Sequence, residues 1–225
     1  MKMNYLTLLF AGLFLVTLAG CSGGGSEDEE VNTEKKEVSK PSGKTVLAAR
    51  HEVEDYKKWL AVYDDIVDPN LRISNFKNID NPTEIIVFEF TMGHEQGREA
   101  MASPETQKAM RDGGVVGEPD IVFADIKFID PNPSSEKYRV MIQHEVTDYD
   151  AWREFFDADE PRRTTAGLSL RGMGTDWQNP NLVTIVFSTN DLEPVRAMQA
   201  DEGMKEIMEK AGVSSEPLFT YLVVP

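Results

Sequence analysis

His51-Glu52-Val53-Glu54-Asp55-Tyr56-Lys57-Lys58-Trp59 returns as His144-Glu145-Val146-Thr147-Asp148-Tyr149-Asp150-Ala151-Trp152, with six of nine positions identical at a spacing of 93. Further along, Gly114-Val115-x-x-Glu118-Pro119 returns as Gly212-Val213-x-x-Glu216-Pro217, now at a spacing of 98. Two matches in the same order imply a duplicated unit of about 85 residues. The pattern around them reads as the same elements twice. Thr45–Val53 is a β-branched, apolar run that suits a strand. Asp55 and Asp148 are placed to cap the helices that follow. Tyr56, Trp59, Leu60, Tyr63, Ile66 and Val67 fall on one helical face, and Tyr149, Trp152 and Phe156 repeat its beginning. Leu71–Asn78 and Glu84–Thr91 read as strands around an Asn81-Pro82 turn, matched by Asn179-Pro180. Residues 95–111 and 192–210 read as helices ending at glycine, before closing strands Asp120–Phe128 and Leu218–Val224.

The expected fold is therefore α+β: two tandem ferredoxin-like repeats, each β-α-β-β-α-β. Helices cover one face of each sheet, and the other face needs a cover. Two sheets placed face to face, helices outward, meet that need. The repeats take residues 44–130 and 138–225, joined by a Pro-rich linker at 131–137 that starts just after Asp130.

Ahead of the repeats, Lys2 and an apolar run from Tyr5 to Leu18 precede Leu18-Ala19-Gly20-Cys21. This run is short for a membrane span and suits a secretory signal over residues 1–20. The four residues ending in Cys21 resemble the lipobox of bacterial lipoproteins, which implies lipidation of Cys21 and anchoring to the cell envelope. Ser22 after it directs the expectation to the outer membrane, on its periplasmic or surface face. Residues 21–43 are acidic and poor in apolar side chains, as a disordered tether would be. Cys21 is the sole cysteine, so the fold has no disulfide and no thiolate metal site. Without residues 1–20 the chain keeps 22 basic against 39 acidic residues, a net charge of −17. That balance argues against nucleic acid as a partner.

The strand-His-x-Val-x-Asp-Tyr-x-x-Trp pattern, the Asn-Pro hairpin and Gly-Val-x-x-Glu-Pro resemble the dimeric α+β barrel superfamily. Within it the likeness is to the antibiotic biosynthesis monooxygenase-like group. The resemblance implies an intramolecular dimeric α+β barrel: a monomer whose two repeats take the places of two subunits. Members include cofactor-free monooxygenases and haem-degrading enzymes. The stretch Glu160–Gly167 resembles the Arg-containing end of the first helix in that group. The first repeat is about five residues shorter there, so a second-repeat site is favoured.

His144 and His51 are the candidate catalytic residues, each on the same strand face as the following valine. Packing against the capped loop is their bland reading. Trp177, Arg162, Tyr149 and Trp152 are the candidate ligand contacts. Trp152 and Tyr149 serve equally as core on the helix stripe, and Arg162 as a partner for nearby acids. Three scattered histidines give no metal signature, and no metal is expected. The resulting expectation is a small apolar or aromatic ligand in the barrel cavity, with cofactor-independent oxidation as the enzymatic form. The alternatives are a structural or interaction module with a filled cavity, and haem held by His144 or His51.

Overall fold

A computed structural model of the chain describes residues 45–225. The expected signal segment, Cys21 and the expected tether lie outside the described residues. The described chain runs β1 (Thr45–Val53), α1 (Tyr56–Ile66), β2 (Arg72–Asn78), β3 (Glu84–Thr91), α2 (His94–Ala102), α3 (Pro104–Gly113) and β4 (Val115–Ile129). It continues with β5 (Tyr138–Glu145), α4 (Tyr149–Ala158), α5 (Glu160–Thr165), β6 (Ser169–Asp176), β7 (Leu182–Thr189), α6 (Glu193–Gln199), α7 (Glu202–Lys210) and β8 (Leu218–Val223). This is a ferredoxin-like α+β fold with eight antiparallel strands and, among the described residues, seven helices.

The helices start where the aspartates predict. The Asp55 carboxylate accepts from the Lys58 amide at 2.8 Å, and Asp148 accepts from the Ala151 amide at 2.8 Å. Each satisfies an amide that the first turn leaves without a partner. The single helices expected over 95–111 and 192–210 are each two helices. Pro104 cannot continue a helix through its missing N–H, and Ser103 caps the new one by accepting from the Thr106 amide at 3.1 Å. Asp201 does the same through the Met204 amide at 2.9 Å. At Gly114 (φ +78°) and Gly212 (φ +91°) the chain leaves the helix in the left-handed region, where a side chain is strained.

The strands close into one ring in the order β1-β3-β2-β8-β5-β7-β6-β4. Within the first half β4, β1, β3 and β2 are neighbours, and within the second β8, β5, β7 and β6. Two seams join them. β4 pairs with β6 through five register pairs from Ala124↔Asp176 to Ile129↔Gly172. β2 pairs with β8 at Lys77↔Val223 and Asn78↔Leu222.

The residues that repeat in the sequence meet in space. Val53 pairs with Val115, and Val146 with Val213, so each His-Glu-Val touches its own Gly-Val. The Asn81 side chain donates to Glu52 at 2.9 Å, and Asn179 donates to Glu145 at 3.1 Å. Each match thus forms a corner where a strand end, a hairpin turn and a helix exit are tied together.

Three apolar clusters follow from strand alternation. One lies under the first-half helices, around Leu47, Val53, Trp59, Ile85 and Phe123. A second lies under the second-half helices, around Val140, Trp152, Ile185 and Phe187. The third, made of Val46, Phe76, Ile86, Phe88, Met141 and Leu222, draws on both halves and sits inside the ring.

Candidate functional site

Alternation along β5 decides where His144 goes. Met141 belongs to the cluster inside the ring, so Arg139 and Gln143 share the inner side. Val140 belongs to the cluster under the helices, and His144 shares its side. The expectation that these histidines would serve a ligand in the barrel cavity is therefore corrected. His144 lies between the sheet and the second-half helices, and His51 occupies the matching place in the first half.

His144 lines a cavity of about 310 Å³ whose walls include Ile142, Trp152, Phe156, Phe187 and Phe219. It is 5% exposed, and its ring stands edge-on to Trp152 with centroids 5.5 Å apart. Neither ring nitrogen has a hydrogen-bond partner among the described residues. Burial holds its pKa down to about 4, so the ring is neutral at physiological pH. A buried imidazole without partners is costly, on the order of 1–3 kcal/mol for each unsatisfied group.

His51 repeats this arrangement. Its ring nitrogens are equally unpartnered, Trp59 lies at 5.5 Å, and burial again lowers the pKa to about 4. The space beside it is about 160 Å³, roughly half as large. After α1 the first-half chain turns directly into β2, and Arg72 fastens that turn to the Tyr63 and Val67 carbonyls at 3.3 and 2.6 Å. The second half has extra residues at this point, and they form α5. Its Arg162 and Arg163 reach the cavity wall, so the larger space comes from the insertion.

The remaining candidates separate. Trp152 lines the His144 cavity. Arg162 does too, but its guanidinium is gripped by both Asp159 oxygens at 2.8 Å, as the charge-offset reading expects. Arg163 lies over Phe156, 3.7 Å from the ring centroid, and donates to the Phe156 carbonyl. Tyr149 is away from the cavity; its hydroxyl meets the Met173 sulfur at 3.6 Å. Trp177 is also away. It stacks on His94 at 4.8 Å and 15°, and its amide donates to the Phe123 carbonyl at 3.0 Å. It fastens the second half to the first, and its role as a contact for a ligand of His144 is withdrawn.

Sequence reading did not single out Phe187 or Phe219 as cavity wall. Nor did it single out Arg139, although an arginine within an apolar strand was a visible signal. Among the described residues no group of acidic, histidine or cysteine side chains is arranged to hold a metal ion.

No family model matches the chain, and no curated protein matches it. Solved structures do. An anthrone oxidase-like protein superposes with a TM-score of 0.56 at 14% identity, covering 83% of this chain and 93% of that one. An uncharacterized ferredoxin-fold protein related to antibiotic biosynthesis monooxygenases, from Listeria monocytogenes, gives 0.50 at 10% identity, with 82% and 96% covered. A monooxygenase-like protein from Listeria innocua gives 0.50 at 11% identity, with 82% and 96% covered. At these identities the likeness is one of fold. The structural neighbours are antibiotic biosynthesis monooxygenase-like proteins, and this chain shares their ferredoxin-like architecture.

Proposed function

We propose that the protein binds a small, largely apolar or aromatic molecule in the cavity beside His144, through a hydroxyl or carbonyl that partners the imidazole. The observation that carries this reading is the neutral, buried His144 ring, whose two nitrogens lack partners, in the wall of about 310 Å³ of largely apolar space. A ligand polar group would satisfy it while the walls bury the rest. The two halves, in this reading, are copies of one unit that take the places of two subunits, and only the second has room for a ligand.

The ring chemistry favours binding over base catalysis. A conjugate acid with a pKa of about 4 holds a proton too weakly to take one from a phenol of pKa about 10. His144 thus serves as an orienting partner. Oxidation without a cofactor would draw on the substrate's own acidity.

Haem fits in part only. His144 offers a neutral nitrogen, as iron ligation needs. The cavity wall does not suit a dianionic macrocycle, because Asp159 lines it and already pairs with Arg162 and, at 3.7 Å, with Arg163. Haem is therefore not part of the proposal.

We propose further that Cys21 carries a lipid that tethers this domain to the bacterial envelope, on the strength of Leu18-Ala19-Gly20-Cys21.

Titration with 2-naphthol should shift the ring-nitrogen resonances of His144. His144→Phe should weaken binding about tenfold, the value of one hydrogen bond, while His51→Phe changes it less than twofold. Equal losses in both variants, or silent His144 resonances, contradict the reading. Haemin should give no Soret band that depends on His144.

Stability should follow the His144 ring. Its folded pKa of about 4 lies below the unfolded value of 6.5, so the unfolded chain binds more protons between them. The His144 contribution is whole above pH 6.5 and lost as pH falls toward 4. Urea melts should show the wild type losing on the order of 2–3 kcal/mol relative to His144→Phe over that window.

Cys21→Ser should move the protein from the membrane to the soluble fraction and abolish incorporation of labelled palmitate. Retention of both would remove the anchor.

A further inference from the structure

The ring of strands encloses a second cavity, of about 380 Å³, on the opposite side of β5 from His144. Its walls are apolar and come from both halves, among them Val46, Ala48, Phe76, Phe88 and Val186. The segment from Ile129 to Ser134, which connects the halves, lines it too, together with Arg139 and Arg171.

The two arginines differ in one respect. Arg171 is answered: it pairs with the Asp130 carboxylate and donates to the Asn132 carbonyl. Arg139 is 8% exposed, and its Nη1 donates to the carbonyls of Glu136 and Tyr138 at 2.7 and 2.9 Å. Among the described residues no carboxylate oxygen comes within 4.0 Å of its guanidinium. The nearby Glu136 carboxylate is occupied by the hydroxyls of Ser134 and Ser169. Burial, and then the charge of Arg171, press the Arg139 pKa downward, against a smaller opposing pull from Glu136.

A buried cation without a counter-ion is among the costliest features a fold can hold. Packing does not require one here, since Val46 occupies the matching place 93 residues earlier. Phe128 and Ile129, which line the same cavity, stay 37% and 38% exposed and leave an apolar approach to it.

From these observations we infer that the barrel interior is a second ligand site, which takes an amphiphile with one carboxylate: the apolar body lies among the sheet side chains and the carboxylate pairs with Arg139. This site does not depend on the His144 cavity, from which the sheet separates it.

The test uses decanoate and its neutral counterpart decan-1-ol, titrated calorimetrically into the full chain. Decanoate should bind more tightly by about tenfold or more, as a charge-assisted hydrogen bond gives. Arg139→Met should abolish that preference and leave decanol within twofold. Ala48→Phe, which keeps Arg139 and fills the interior, should weaken both ligands at least tenfold. The His144 ring resonances should not move. Equal affinity for the two ligands, a decanoate preference that survives Arg139→Met, or binding that survives Ala48→Phe would each overturn the inference. So would decanoate binding that shifts His144 in place of interior methyl groups. Should Arg139→Met fail to fold, Ala48→Phe and the comparison of the two ligands decide.

Discussion

The structure depends on the closure of two four-stranded sheets along two seams. Alone, each sheet would bury one face under its helices and leave the other wet, with β2 and β4, or β6 and β8, as open edges. Pairing β4 with β6 and β2 with β8 removes those edges and covers the second face at the same time. The seams are unequal. The long β4 carries most of the pairing, and Trp177 reinforces that side by stacking on His94 across the junction. The interior cluster, from Val46 to Leu222, exists only because the ring is closed.

Closure also sorts the polar groups. Every strand has an inner side facing the other half and an outer side facing its own helices. His51 and His144 fall on the outer side, each pressed against a tryptophan, and Arg139 falls on the inner side. A shared His–Trp contact in both halves is a packing feature. What distinguishes the second half is space, and α5 creates it. Inside the ring the distinguishing feature is charge, because Arg139 stands where the first half has Val46.

Much of the architecture was legible because the repeated residues are the ones that build the corners. Glu52 with Asn81, Glu145 with Asn179, and the capping aspartates all act within one unit, so their spacing survives in the sequence. β1 and β3 were read with the bounds they have, since their β-branched runs are clean. The breaks at Ser103-Pro104 and Asp201 carried local signals that an apolar helical stripe obscured. The side on which the histidines lie was not legible. Both faces of these strands are apolar, so a period of two shows which residues share a face without showing what covers it. Trp177 likewise reads as a ligand contact from the sequence, whereas its partner lies some eighty residues away in His94.

Native-state hydrogen exchange at the seams tests the account most directly. Three amides flank the paired strands where the halves meet: Trp177 donates to the Phe123 carbonyl at 3.0 Å, Asp130 to Arg171 at 2.9 Å, and Ile79 to Tyr221 at 2.8 Å. If the ring is closed, these three exchange as slowly as amides in the middle of β7, through unfolding of the whole barrel. Exchange at the rate of exposed loops, while β7 stays protected, would show two separate halves and would remove the interior with them.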